Sequence, residues 1–409
     1  VGKIFTPTAD DFPTTADAVV IGGGIVGVAT AFWLSRAGLD TVLVEMRDGL
    51  STLTTPNSIE CFRAQFTEPP MAELALPSIK VFENFAEVIG LPGYDISLSH
   101  QGYLFATDDP GMVDDLQAAV QQHRRLGVLD SEFLDHDDLL ARFPYLSDKA
   151  VAATFRQQDG WLSTHEATQG FAKGSSARYL LSTKATGIRK DTKHPGGALG
   201  VSGVETTRGT ISTRTVINAA GPFAGVVGRM AGLDLPLEMV RRQKAFISPK
   251  PQIPQDAPLT IDLVQDVYWR PETGGAYIAW VDPDESPGEP AEELPLDWDY
   301  PAVVLEKLIH LNPFWEEIAD DLRQEDVHPS AGQYAYTPDD QPLVGPVPEV
   351  PGFYVNCGYW AGVMLSPEAG KRIADLVTGV MDPQRNLLRP TRYAEGIVYE
   401  GDSFLRGRH

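Results

Sequence analysis

The sequence is poor in the features that mark several large classes of protein. Two cysteines, Cys61 and Cys357, in 409 residues are too few for a disulfide framework or a cysteine zinc site. The eight histidines form no HExxH and no paired spacing, so no dedicated metal site is expected. Positive charge is scarce: 33 Lys and Arg stand against 56 Asp and Glu, a net charge of −23. So acidic a surface repels phosphate backbones, which argues against nucleic-acid binding. No apolar run approaches the roughly 20 residues of a membrane-spanning helix. The opening VGKIFTPTADDFPTT lacks the apolar stretch of a signal peptide, and the expectation is a cytoplasmic protein. No repeat or low-complexity tract stands out. The composition that remains, 43% apolar and 22% charged, is that of a packed globular chain. Its length predicts two or three domains.

The strongest pattern lies near the start. Ala18-Val19-Val20-Ile21 is a short apolar run ending at Gly22-Gly23-Gly24, as in a buried parallel strand. Residues 25–37 are apolar almost all round, which predicts a helix sandwiched between layers and stopped at Gly38. Thr41 to Glu45 reads as a second buried strand, completing a strand-helix-strand unit. Residues 48–70 are rich in Thr, Ser and Pro, and 71–90 look helical. Segments 100–106 and 265–280 alternate like antiparallel strands, and 177–188 and 201–217 read as further short strands. The acidic, Pro-rich segment 282–298 predicts a solvated loop. Residues 338–376 read as turn, strand, glycine loop and helix. Parallel segments at the start, middle and end, with antiparallel ones between, imply two interleaved domains.

Gly22-Gly23-Gly24-Ile25-Val26-Gly27 fits G-x-G-x-x-G where the motif carries meaning, after a strand and opening a helix. Gly22 permits the tight turn, Gly24 lets a pyrophosphate approach the backbone, and Gly27 lets helix and strand pack closely. The helix N-terminus offers free N–H groups and a partial positive charge to the phosphates. Glu45 ends the second strand, placed to accept both ribose hydroxyls and to repel a 2′-phosphate, which disfavours NADP. The motif alone does not separate NAD from FAD.

Two later blocks accompany it: Val216-Ile217-Asn218-Ala219-Ala220-Gly221-Pro222, and Thr337 to Gly345 leading into Gly358-Tyr359-Trp360-Ala361-Gly362-Val363-Met364-Leu365-Ser366-Pro367. In that order the three blocks resemble the D-amino-acid oxidase superfamily of flavoenzymes, in its sarcosine oxidase and dimethylglycine dehydrogenase branch. The resemblance implies an α/β FAD-binding Rossmann-like domain interleaved with an α+β substrate domain built on an antiparallel sheet. The implied ranges are 1–95, 159–234 and 326–409 for the first and 96–158 and 235–325 for the second. It implies a cofactor site at Gly22, Gly24, Ile25, Gly27, Glu45, Met46, Ser51, Thr52, Ala185, Ala220 and Gly221. Gly362, Val363 and Met364 would face the flavin pyrimidine, and Gly332 would sit beside the ring. Monomeric sarcosine oxidases carry at the Gly332 position the cysteine that binds flavin, so FAD is expected to be non-covalent here. Arg63 matches the arginine that holds the substrate carboxylate, a role that suits two parallel donors of fixed charge. Tyr268 matches an active-site tyrosine.

The sequence also departs from that branch. Glu60 stands for a second basic residue, Ile278 for a strand lysine, Asp282 for a histidine and Met364 for another lysine, and the glycine loop is shortened to Ala361-Gly362. Loss of the strand lysine favours a dehydrogenase over an oxidase, because a fixed positive charge beside the flavin promotes oxygen activation. Ile278 and Met364, with Trp269 and Trp360, suggest a pocket for a bulkier apolar group. The expected activity is oxidation of the C–N bond of a small amino acid, N-methylated or otherwise a secondary or tertiary amine, by hydride transfer to flavin N5 and hydrolysis of the imine. Oxygen and a carrier protein both remain open as electron acceptor. Alternatives on the same fold are a D-amino acid, a cyclic imino acid or a 2-hydroxy acid, the last needing a base such as His100 or His328. From a different class, the chain is a non-catalytic flavoprotein subunit of a larger complex; an oligomer or hetero-complex stays open in either case.

Overall fold

The computed structural model describes residues 1–194 and 197–399; residues 195–196 and 400–409, the latter closing the third FAD-binding range, lie outside it. A seven-stranded sheet runs in the order Lys3–Phe5, Arg178–Leu180, Thr41–Val44, Ala18–Ile21, Thr215–Asn218, Phe353–Cys357, Leu343–Pro346. Its neighbours are parallel except the last pair. Val19, Val20, Val42, Leu43, Val216 and Ile217 are fully buried, as continuous apolar strands covered on both faces must be.

The helix Ile25–Arg36 begins where the glycine turn predicted. It buries Val28, Ala29, Ala31, Phe32 and Leu34 against the sheet and against the helix Gly362–Val377. That helix crossing is close at Gly370, where a Cβ would lie 2.8 Å from the Ala29 carbonyl carbon. Gly38, at φ +88°, ends the turn that follows.

A second, eight-stranded sheet holds Val327–Tyr336, Glu238–Ile247, Gly275–Trp280, Val267–Glu272, Leu259–Asp262, Tyr103–Thr107, Ala152–Arg156 and Glu132–Asp135 in that order. Residues 267–280 form the expected hairpin, its turn made by Thr273 and Gly274 at positive φ. Tyr103–Thr107 is less regular than expected: it pairs antiparallel with Ala152–Arg156 but parallel with Leu259–Asp262. Val327–Tyr336 lies at the start of the third range assigned to FAD binding, yet along its whole length it pairs with Glu238–Ile247 in this second sheet. One face of the sheet is closed by Tyr300–Leu308 and Phe314–Asp321 over Trp269, Ile278, Val304 and Trp315.

The acidic segment 282–298 is the solvated loop expected, with no buried residue, but it is tethered at several points. Glu285 pairs with Arg241 and Glu292 with Arg47. The Gln333 side chain donates to Glu289 O at 2.8 Å and accepts from Ala291 N at 2.8 Å. Charge and proline in sequence marked solvent, but the arginines that hold this strap come from distant segments.

The glycine turn yields a first prediction. A Cβ on Gly27 would sit 2.0 Å from Gly22 O, a backbone clash that no rotamer relieves. Gly27→Ala is expected to lower unfolding stability by about 1–3 kcal/mol, measured by urea titration against Gly288→Ala, where nothing lies within 4 Å of the added carbon and the backbone is not left-handed.

Candidate functional site

The C-terminal ends of the central parallel strands open into one large cavity, as the topology of an open α/β sheet predicts. Its empty volume is about 1680 Å³ with the mouth included. At one end lie Gly22, Gly24 and Ile25. A Cβ on Gly24 would meet only Thr55 Oγ1, at 3.5 Å, so that flank of the turn is open. Glu45 also lines the cavity; its carboxylate accepts from Gly23 N at 2.5 Å and Arg47 N at 2.8 Å. Burial pushes its pKa upward against those hydrogen bonds. Met46, Ser51, Thr52, Ala185, Ala220 and Gly221 continue the lining. Ser51 Oγ is buried without a hydrogen-bond partner among the described residues.

The far end is walled by Tyr103, Ile261, Tyr268, Tyr334 and Trp360, with Gly362, Val363 and Met364 at the start of a helix that has no side-chain cap. Its first-turn N–H groups are therefore available beside the cavity. Burial raises the Tyr268 pKa well above the ordinary phenol value, so this ring carries its proton at neutral pH.

Arg63 stands behind that wall. It is 2% exposed and does not itself line the cavity. Its guanidinium carbon lies 4.2 Å from the Phe66 ring centre, 5.0 Å from Phe105, 5.8 Å from Trp360 and 6.0 Å from Tyr103. Nη1 donates to Gln65 O at 2.6 Å, while Nη2 has no partner among the described residues. Other buried arginines are neutralised: Arg270 by Glu60 and Glu272, Arg392 by Asp339, Arg156 by Asp130 and Asp159. Asp159 in turn fixes the strand beside Arg63, accepting from Ala64 N at 2.9 Å and Gln65 Nε2 at 3.2 Å.

Residues 17–376 match the family described as FAD-dependent oxidoreductase, DAO. The chain belongs to that family. It is 24% identical over 413 residues to the mitochondrial dimethylglycine dehydrogenase of Rattus norvegicus, covering 96% of this chain and 47% of that protein. It is 28% identical over 392 residues to the formaldehyde-forming 4-methylaminobutanoate oxidase of Paenarthrobacter nicotinovorans, covering 92% of this chain and 45% of that protein. The chain thus spans about half the length of these curated relatives. Among solved structures, the L-proline dehydrogenase of P. horikoshii superposes with a TM-score of 0.82 at 24% identity, over 95% of this chain and 100% of that one, a likeness of fold.

The family's cofactor is FAD, and the cavity fits it. The open flank of Gly24, the unpartnered Ser51 hydroxyl and the two uncapped helix starts are what a dinucleotide's phosphates, hydroxyls and flavin edge require.

The expected site residues fall into place unevenly. Gly27 lies under the turn, packed on Gly22 O, and is absent from the lining. Gly332 is absent from the lining too: it abuts Thr54 and Asn57, while Gln333, Tyr334 and Ala335 line the cavity. Ile278 and Trp269 point to the opposite face of the second sheet, into the core under its helices. The residue of that strand beside Tyr268 is Ala279, a one-residue shift of register that reverses the face. The bulky-pocket expectation thereby loses two of its four residues, since only Met364 and Trp360 line the cavity.

No histidine lines the cavity among the described residues. His100 bonds Gln158 O at 2.7 Å, and His328 lies 3.3 Å from Ser248 Oγ. Asp282 begins the acidic strap and is also off the lining. Both cysteines line the cavity, with thiols pushed up to about 12 by burial.

Two groups escaped the sequence reading. Lys244, on a neighbouring strand, donates to Pro56 O at 3.0 Å and Ser58 O at 2.6 Å behind the lining segment, and burial lowers its pKa to about 8. His123 is 1% exposed, and burial, then the Arg63 charge, lowers its pKa to about 3. Nothing in local sequence distinguishes either from a surface residue.

The His123 shift sets a second prediction. Its folded pKa of about 3 lies below the unfolded 6.5, so between those values the unfolded chain holds the extra proton. The stability due to neutral His123 is complete above pH 6.5 and is lost as pH falls, by up to about 1.4 kcal/mol per pH unit. In urea titrations the stability difference between wild type and His123→Gln is expected to shrink steadily from pH 7 to pH 4.5.

Proposed function

We propose that this chain is the FAD-binding catalytic part of an oxidoreductase that oxidises the C–N bond of a small amino acid, N-methylated or otherwise a secondary or tertiary amine. The observation that carries this reading is Arg63, a buried guanidinium without a carboxylate partner among the described residues, whose Nη2 still lacks an acceptor. A substrate carboxylate completes it. The names of the relatives, which act on dimethylglycine and 4-methylaminobutanoate, support the same class.

FAD, when bound, supplies the two-electron acceptance. The protein's part is position and field. Arg63 holds the carboxylate and turns binding energy into orientation, and Tyr268 presents a protonated hydroxyl to the cavity. Glu60, the acid on the wall at this end, is occupied by Arg270 and by Thr164 Oγ1 at 2.6 Å. Among the described residues no unpaired acid or histidine therefore lines this end of the cavity, and the amine is selected in its neutral form. This disfavours a 2-hydroxy acid, whose hydroxyl proton needs an acceptor. The first-turn N–H groups of Gly362, Val363 and Met364 suit negative charge at the flavin edge.

The two-part division, with Val327–Tyr336 moved to the second part, non-covalent FAD and a carrier as electron acceptor in preference to oxygen belong to the same proposal. The lysine that lines the cavity among the described residues, Lys184, lies beside Ala185 near the adenosine-binding end.

Anaerobic mixing of the FAD-loaded protein with N-methyl amino acids, cyclic imino acids, D-amino acids and hydroxy acids tests the class. Flavin absorbance near 450 nm is expected to bleach with the N-methyl amino acids and recover slowly in air; bleaching by hydroxy acids alone refutes the C–N assignment. Arg63→Gln is expected to lower the bimolecular reduction rate roughly 10–150-fold, the worth of a charge-assisted hydrogen bond at about 1.5–3 kcal/mol. Glu45→Ala is expected to weaken FAD binding by roughly tenfold or more on the same scale, read by flavin fluorescence on dilution.

A further inference from the structure

The guanidinium that this reading makes the carboxylate anchor is closed off from the cavity. On one side it rests on Phe66 and Phe105, both fully buried. On the other, the Tyr103 and Trp360 rings stand between it and the open space they line. A carboxylate reaches Nη2 only if one of those rings gives way.

The two rings differ in freedom. Tyr103 belongs to a strand bonded on both sides, by Leu259–Asp262 and by Ala152–Arg156, and it is 6% exposed. Trp360 sits on a loop between Gly358, at φ +80°, and Gly362, just before an uncapped helix start. Its indole is half-buried and its N–H is tethered by one hydrogen bond, Nε1 to Asp340 O at 2.9 Å. That carbonyl belongs to a turn held in place by the buried pair of Asp339 and Arg392. One ring is thus fixed in a sheet, and the other is latched to a rigid turn by one side-chain hydrogen bond and rests edge-on against Phe66, with ring centres 6.3 Å apart.

We propose that Trp360 is the specificity-determining residue of this site: its indole closes over Arg63 and swings from its Asp340 latch to admit a carboxylate. The proposal rests on Arg63 being the carboxylate anchor. The slot that opens between a fixed Tyr103 and a displaced indole passes a carboxylate on an unbranched carbon more readily than one on a branched carbon. Trp360, and not the breadth of the cavity, then selects the acid.

Acids without nitrogen read this gate without turnover. On the FAD-loaded protein, calorimetric binding of acetate is expected to be roughly tenfold or more tighter than that of isobutyrate or trimethylacetate, at least the discrimination that a single misplaced methylene gives. Trp360→Ala is expected to reduce that spread by roughly tenfold. Trp360→Phe keeps a ring but loses the latch. It is expected to keep most of the spread and to associate with acetate roughly 2–10-fold faster in stopped flow, the worth of one neutral hydrogen bond. An unchanged spread in Trp360→Ala, or an unchanged association rate in Trp360→Phe, overturns the gate while Arg63→Gln still abolishes acetate binding. If wild type fails to bind acetate, or if binding survives Arg63→Gln, the anchor itself falls, and the gate with it.

Discussion

The site depends on one approach of backbone to backbone. At Gly22 a Cβ would stand 2.4 Å from Ala219 O, and at Gly27 it would stand 2.0 Å from Gly22 O. With no side chains in the way, the first strand, the helix after it and the end of the Thr215–Asn218 strand converge on a single point. The helix N-terminus is thereby aimed along the ends of the parallel strands. The helix Gly362–Val377 packs against the first helix at Gly370 and brings a second N-terminus to the far end of the same cavity. Two positive helix ends, one at each end of a long hollow, suit a ligand with phosphates at one end and a polar ring at the other.

Holding charge where water is excluded is a second problem. Removing a charged group from water costs several kcal/mol unless a partner offsets it. Arg270, Arg392 and Arg156 each meet carboxylates. Arg63 meets aromatic faces and one carbonyl, which stabilise a guanidinium but leave one nitrogen unsatisfied. The fully buried Asp159 spends its hydrogen bonds on the neighbouring backbone and on Gln65, so the incompletely paired arginine is held by a complete network. An unsatisfied donor in a rigid frame is prepared for a ligand.

How far the sequence could be read followed the range of the interactions. The glycine turn, the first helix and the two flanking strands were legible because their signal, apolar runs broken by glycines at fixed spacing, lies within about 30 residues of chain. The hairpin at 267–280 was legible from its alternation, but the face of each strand residue was not. Ile278 and Trp269 were placed in the pocket and belong to the core on the other side, because period-2 alternation gives two faces without saying which meets the cavity. The acidic segment 282–298 is solvated as its composition implied, but its tethering was not legible because Arg47, Arg241 and Gln333, which hold it, lie 42 to 245 residues away. Lys244 and His123 were invisible for the same reason.

The sequence by itself determined the dinucleotide-binding turn, since glycines at fixed spacing and an acid at a strand end act through local backbone geometry. FAD and the interest of Arg63 came from the resemblance of the three blocks to a flavoenzyme family. Tertiary structure alone decided what surrounds that arginine. Phe66, Tyr103, Phe105 and Trp360 come from three separate stretches of chain, and only their convergence excludes water and leaves Nη2 without an acceptor. Burial is a property of the assembled chain, and it is burial that sets Arg63 apart from a common surface arginine.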